Sequence, residues 1–117
     1  MEIWINPACS KCRAATAALD EAGISYTVRR YLDTPPTAEE LTEVLTRLNL
    51  APWHLVRMNE PAAAALKSLP RDEAHHADWI EAMVTNPILI QRPILTTDDG
   101  TTAIARDPET LARLLHP

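Results

Sequence analysis

Phenylalanine is absent from this chain of 117 residues, glycine and cysteine occur twice each, and 11 lysines and arginines face 16 aspartates and glutamates. Each shortage excludes something. Two glycines cannot build the glycine-rich loop of a P-loop or of a dinucleotide-binding fingerprint. A formal net charge of −5 leaves no basic face for gripping a phosphate backbone, so no nucleic-acid partner is expected. The most apolar stretch, PILIQRPIL, is too short and too interrupted to span a bilayer, and the Met-Glu start carries no basic leader. No membrane association is expected, and the chain reads as cytoplasmic. Its length suits one domain over residues 1–117, burying roughly two thirds of the surface the unfolded chain exposes, so a disulfide staple is unnecessary. In a reducing compartment, two cysteines at close spacing point to redox or metal chemistry.

The two cysteines lie in EIWINPACSKCRAATAALDEAG. Ile3, Trp4 and Ile5 have β-branched and aromatic strand character, Pro7 ends the strand, and Ala14 to Leu19 are strong helix formers. The CxxC therefore straddles a helix N-terminus. Unpaired backbone N–H groups there favour an anion, so Cys9 is expected to ionise more readily than a free thiol and to act as the nucleophile. Cys12 follows about one turn further in, and Arg13 adds positive charge nearby. A buried structural thiol is the plain alternative for Cys9, but Asn6-Pro7 before it and Ser10, Lys11 and Arg13 after it surround it with donors and cations. Zinc would need four ligands, and His54, His75, His76 and His116 offer no H-x3-5-H spacing to complete the CxxC, so no metal is expected.

Downstream, Gly23 is a natural helix stop and SYTVRRYL reads as a second strand, completing a β-α-β unit. Thr37 and Glu40 form a capping box for AEELTEVLTRLNL, whose apolar face is Leu41, Val44, Leu45 and Leu48. Pro52 is expected to open a short helix over Trp53 to Met58, Pro61 a helix reaching Leu69, and Asp72 a helix to about Val84. His75-His76 reads as an exposed pair. No strand is expected between Thr37 and Thr85. RPILTT, DDG and TTAIA then read as a β-hairpin, and Asp107-Pro108 opens a final helix, PETLARLLH. Arg92-Pro93 suits either an edge-strand start or a cis peptide that turns the arginine sharply. Arg57 and Arg106 matter if the fold brings them to Cys9, where guanidinium forks bind a tetrahedral oxyanion.

With these residues in view, the chain resembles the glutaredoxin-dependent arsenate reductase family, a thioredoxin-fold group that also contains the redox-sensing transcriptional regulator Spx. NPACSKCR resembles its Asn-Pro-x-Cys motif, YLDTPPTAEEL its Tyr-Leu-x-Thr-Pro-Pro segment, LVRMNE its Leu-x-Arg-x-Asn stretch and NPILIQRPIL its Pro-Ile-Leu-Ile-x-Arg-Pro-Ile motif. The resemblance implies an α/β, thioredoxin-like mixed sheet, β-α-β plus β-β-α, with a helical insertion at about 35–86 between the halves. It implies Cys9 as nucleophile, Arg57, Arg92 and Arg106 as the oxyanion-binding arginines, and Asn6, Arg13 and a cis bond before Pro93 in support. Arsenate is the implied substrate, with no bound cofactor and with glutaredoxin, thioredoxin or a low-molecular-weight thiol as external reductant. Two positions depart from the family: Ile5 stands where its reductases often carry His, and Cys12 where they often carry Ser. The second thiol opens the possibility of an internal disulfide. It also keeps two other functions in view, an Spx-like regulator binding RNA polymerase and a general disulfide reductase.

Overall fold

The structure is a computed structural model and describes residues 1–115. Strand β1 (Glu2–Ile5) leads to helix α1 (Ser10–Glu21) and then strand β2 (Thr27–Arg30), which pairs parallel to β1 with Ile3 opposite Val28. That is the expected β-α-β unit. Helix α1 stops where the sequence says: the N–H of Gly23 donates to Asp20 and that of Ile24 to Leu19, closing a Schellman motif with Gly23 at φ +70°. Strands β3 (Ile94–Thr96) and β4 (Thr102–Ile104) form the antiparallel hairpin, and β3 pairs antiparallel with β1, giving the order β2-β1-β3-β4. Helix α5 (Pro108–Leu115) follows; His116, expected within it, lies outside the described residues.

The chain divides into two compact units, one comprising Met1–Thr34 with the chain from Arg92 onward, the other Pro35–Gln91. The first is the sheet unit. Its core joins Ile3 and Leu95 from the two central strands to Ala15 and Leu19 of α1, with Leu111, Leu114 and Leu115 of α5 packed against it. Trp4 is buried and its indole N–H donates to Glu2 at 2.8 Å, while the Arg29 guanidinium lies 5.1 Å from its ring centre.

The second unit is helical. Helix α2 (Ala38–Leu48) starts on the reciprocal Thr37–Glu40 capping box and buries Leu41, Val44 and Leu45, while Asn49 ends it in the left-handed region. Three expectations need correction. Helix α3 spans only Pro52–Leu55, because Val56 turns extended and bridges antiparallel to Ile90. The Arg57 N–H donates to Leu89 at 2.6 Å and the Gln91 N–H to Leu55 at 2.8 Å, so a two-stranded contact stands where none was expected. This contact lies within the helical unit, Pro35–Gln91. Second, Pro61–Leu66 is a 3-10 helix and stops short of Leu69. Its buried residues, Ala63 and Leu66, are three apart, the spacing a helix of three residues per turn puts on one face. Third, the run from Asp72 begins as a 3-10 turn, Glu73–His75, capped by the Asp72 side chain, before helix α4 (His76–Thr85) takes over. His75 and His76 are half-buried, not exposed, and the His75 ring lies 2.6 Å from the Asp72 carboxylate. Trp79 fills the centre of this unit, fully buried, with its N–H on the Pro70 carbonyl and its ring edge-on to Trp53. No helix among the described residues is long and apolar enough to cross a membrane.

Candidate active site

Strand directions concentrate the chemistry of the sheet unit at one end. Parallel strands β1 and β2 both finish there, so Asn6 to Cys9 and Tyr31 leave from the same edge. Antiparallel β3 starts where β1 ends, with Ile94 opposite Trp4, so Arg92 and Pro93 arrive at that edge too. Strand β4 ends opposite the start of β3, which brings in Arg106. The Arg92–Pro93 bond is cis, the alternative the resemblance favoured.

Cys9 is the N-cap of α1 with extended backbone, and no side-chain oxygen caps the helix. Asn6 holds the approach. Its carbonyl accepts from the Cys9 N–H at 2.9 Å, and its side-chain oxygen from the Ala8 N–H at 3.0 Å. Burial alone would push the Cys9 thiol up, but the Cys12 N–H, the Arg92 guanidinium, the Cys12 thiol and the Lys11 N–H outweigh it and hold Cys9 at about 7. Cys12 behaves oppositely. Burial pushes it to about 11, against help from the Asn6 backbone, and the neighbouring Cys9 adds to the rise. Both cysteines are free thiols, so one half-buried thiol is poised to ionise beside a buried one that stays protonated.

Arg92 is buried, an expensive place for a guanidinium unless anions or dipoles face it. Burial lowers its affinity for the proton, but the hydrogen bond to Cys9, the charge of the Cys9 thiolate and the Tyr31 hydroxyl beside it more than restore it. Tyr31 is the site residue that sequence reasoning missed. It is fully buried, and burial pushes its phenol up to about 12 against the opposing pull of Arg92. Its signal was the Tyr-Leu-x-Thr-Pro-Pro segment, read there for its resemblance and not for its hydroxyl.

The remaining expected residues fall as follows. Arg106 donates from Nη1 to the Arg92 carbonyl at 3.3 Å, bracing the backbone of the arginine that faces Cys9. Arg13 is exposed, and its guanidinium reaches back to the Pro7 carbonyl at 3.3 Å. Arg57 belongs to the helical unit, where it is largely buried and its Nε lies 3.3 Å from a Glu60 carboxylate oxygen. Among the described residues no group of three or more His, Cys, Asp or Glu side chains is arranged to hold a metal ion.

A four-stranded mixed sheet carrying a CxxC at the first helix N-terminus and a cis-proline loop beside it defines a thioredoxin-like thiol protein. The chain belongs to the ArsC family, whose model matches residues 4–114. It is 51% identical over 111 residues, 93% of each chain, to a protein of Streptomyces viridochromogenes described as an uncharacterized protein in the glnII region. It is 34% identical to an arsenate reductase of Neisseria meningitidis, over 98% of this chain and 97% of that one. Among solved structures, an arsenate reductase from Vibrio cholerae superposes with a TM-score of 0.81 at 34% identity, covering 97% of each chain.

Proposed function

We propose that this chain reduces arsenate to arsenite, with Cys9 as the nucleophile and an external thiol as the source of electrons. The observation that carries the reading is the pairing of a thiol held at about 7 with a buried guanidinium that acts on it directly, in a chain of the ArsC family. A thiol held at about 7 is about half ionised at neutral pH, and the Arg92 guanidinium beside it offers a planar fork of donors to the oxygens of a tetrahedral anion.

In the first step the Cys9 thiolate attacks arsenic(V), an S–As bond forms, and one arsenate oxygen leaves as water after protonation. Arg92 offsets the charge on the remaining oxygens. In the second step another thiolate attacks the Cys9 sulfur, the S–As electron pair passes to arsenic, and arsenic(III) departs as arsenite. Two thiols have then been oxidised to one disulfide, matching the two electrons arsenic gains. A low-molecular-weight thiol, glutaredoxin or thioredoxin restores the protein. Cys12 can supply the second thiol internally, since it sits one turn away and interacts with the Cys9 sulfur. Burial, the main cause of its elevated proton affinity, makes it a slow attacker, and modification of Cys9 relieves the smaller part of the rise that comes from Cys9 itself. Arg106 serves by bracing Arg92, and Arg57 enters through the family resemblance.

The test is arsenate-dependent oxidation of thiols by the purified protein. Cys9→Ser is expected to be inactive with any donor, and Cys12→Ser to retain the first adduct but depend more on added thiol. Arg92→Lys keeps the charge and loses the fork, so kcat/KM is expected to fall by about a hundredfold or more, with smaller losses for Arg57→Lys and Arg106→Lys. Unchanged turnover in all three lysine variants would remove the oxyanion site. Arsenate-independent disulfide exchange at full rate in those same variants would instead favour a general thiol–disulfide exchange role, which the adjacency of Cys9 and Cys12 also suits.

A further inference from the structure

The tyrosines of the sheet unit are treated differently by the fold. Tyr26 donates its hydroxyl proton to Asp20 at 2.7 Å near the surface. Tyr31 is fully buried, and among the described residues its hydroxyl finds no partner at strict hydrogen-bond geometry. A fold that needed only an apolar plug just beyond β2 would use phenylalanine, which has the same ring and no polar atom to bury.

The groups that act on that hydroxyl belong to the site itself: the Arg92 guanidinium, close enough for a hydrogen-bond interaction, and the thiols of Cys12 and Cys9. The oxygen is closed off from solvent, so no oxyanion can reach it. Any part it takes in the chemistry must pass through a neighbour. Arg92 is the neighbour that also acts on Cys9.

We propose that Tyr31 is a positioning residue: its buried hydroxyl oxygen faces the Arg92 guanidinium from the side away from solvent and keeps that guanidinium turned toward the Cys9 sulfur. The inference rests on the reading of Cys9 as the nucleophile. The chemistry of the phenol fits the task. A hydroxyl pushed to about 12 stays neutral across the working range, so it offers guanidinium N–H groups an acceptor without competing with the thiolate for positive charge. Aspartate at the same place would pair with Arg92 outright and divert it from Cys9. The groups acting on the Cys9 sulfur are the Arg92 side chain, the Cys12 thiol and the N–H groups of Cys12 and Lys11, and only the guanidinium stands at the end of a long side chain with several rotatable bonds.

The experiment is Tyr31→Phe, read by the pH midpoint of Cys9 alkylation, mapped by mass spectrometry, and by thermal unfolding. The midpoint is expected to move up by about half a unit or more, equivalent to about threefold less thiolate at acidic pH, while the melting temperature holds or rises. In an Arg92→Lys background the same substitution is expected to add no further shift, because the residue it acts through has been replaced. A folded Tyr31→Phe protein whose midpoint stays at about 7 overturns the proposal, as does an equal shift with Arg92→Lys present. Should Tyr31→Phe fail to fold, 3-fluorotyrosine incorporated into a Tyr26→Phe protein keeps the ring and weakens the oxygen as an acceptor. A raised midpoint then supports the assignment and an unmoved one overturns it. Arsenate turnover by the wild-type protein is measured alongside. Its absence would count against the reductase reading and leave the Tyr31 assignment to be decided by the midpoint alone.

Discussion

Cys9 and Cys12 stand three positions apart at one helix start and yet part with their protons near 7 and near 11. The sign follows from placement. Both are penalised by burial, but Cys9 meets Arg92 and the N–H groups of Cys12 and Lys11, whereas Cys12 meets the Cys9 thiolate. Alkylation by iodoacetamide, which requires the thiolate, is therefore expected to label Cys9 half-maximally near pH 7 and to spare Cys12 until near pH 11. Peptide mapping across pH checks this, and equal profiles for the two cysteines would refute the assignment. The position of Cys9 was legible because every signal for it is local: a short strand, a proline, then helix formers. Tyr31 was not, since a tyrosine at the end of a β-branched run reads as strand, and only the meeting of three strand ends shows what its hydroxyl faces.

At the scale of elements, two terminators of different kind separate backbone strain from lost hydrogen bonds. Gly23 occupies φ +70°, and a methyl group built on it would meet nothing within 4 Å. Gly23→Ala is thus expected to cost about 1–2 kcal/mol from backbone conformation alone, and Gly23→Asn less, since asparagine tolerates the left-handed region. Thr37→Ala removes one half of a reciprocal pair, the Glu40 N–H to Thr37 Oγ1 bond at 3.1 Å, and is expected to cost about 1 kcal/mol. Denaturant titrations measure both, and a neutral Gly23→Ala would show that the left-handed turn is not held by the rest of the Schellman motif. Both terminators could be read from sequence because a cap is a statement about a few consecutive residues. The bridge between Val56 and Ile90 could not. One pair of residues gives no alternation to detect, and its partner lies beyond four intervening helical segments. For Pro61–Leu66, four successive alanines argue for an α-helix by propensity, but the buried pair at a spacing of three prevails.

For the whole molecule, the order β-α-β, helical block, β-β-α was readable because the periodicity changes sharply at Thr34 to Thr37 and again after Asn86. What the order conceals is that the central strand β3 is contributed by the last third of the chain. Leu95 on that strand is fully buried beside Ile3, and Leu95→Ala is expected to destabilise the protein by about 2–5 kcal/mol with an unchanged urea dependence. Loss of Cys9 reactivity at pH 7 at the same urea concentration as loss of secondary structure would show that the thiol is activated only within the closed sheet. Reactivity persisting past the unfolding midpoint would show that the helix N-terminus suffices alone. The same split has a consequence for the chain while it is being made. Synthesis delivers the CxxC early and Arg92 late, with the whole helical unit in between, so a growing chain carries Cys9 without the guanidinium that lowers its affinity for the proton. During that interval the thiol has at most its own helix amides to ionise it, and it stays closer to an ordinary cysteine in reactivity. Full activation of the thiol is thereby deferred until the helical unit and the Arg92 segment after it have been made.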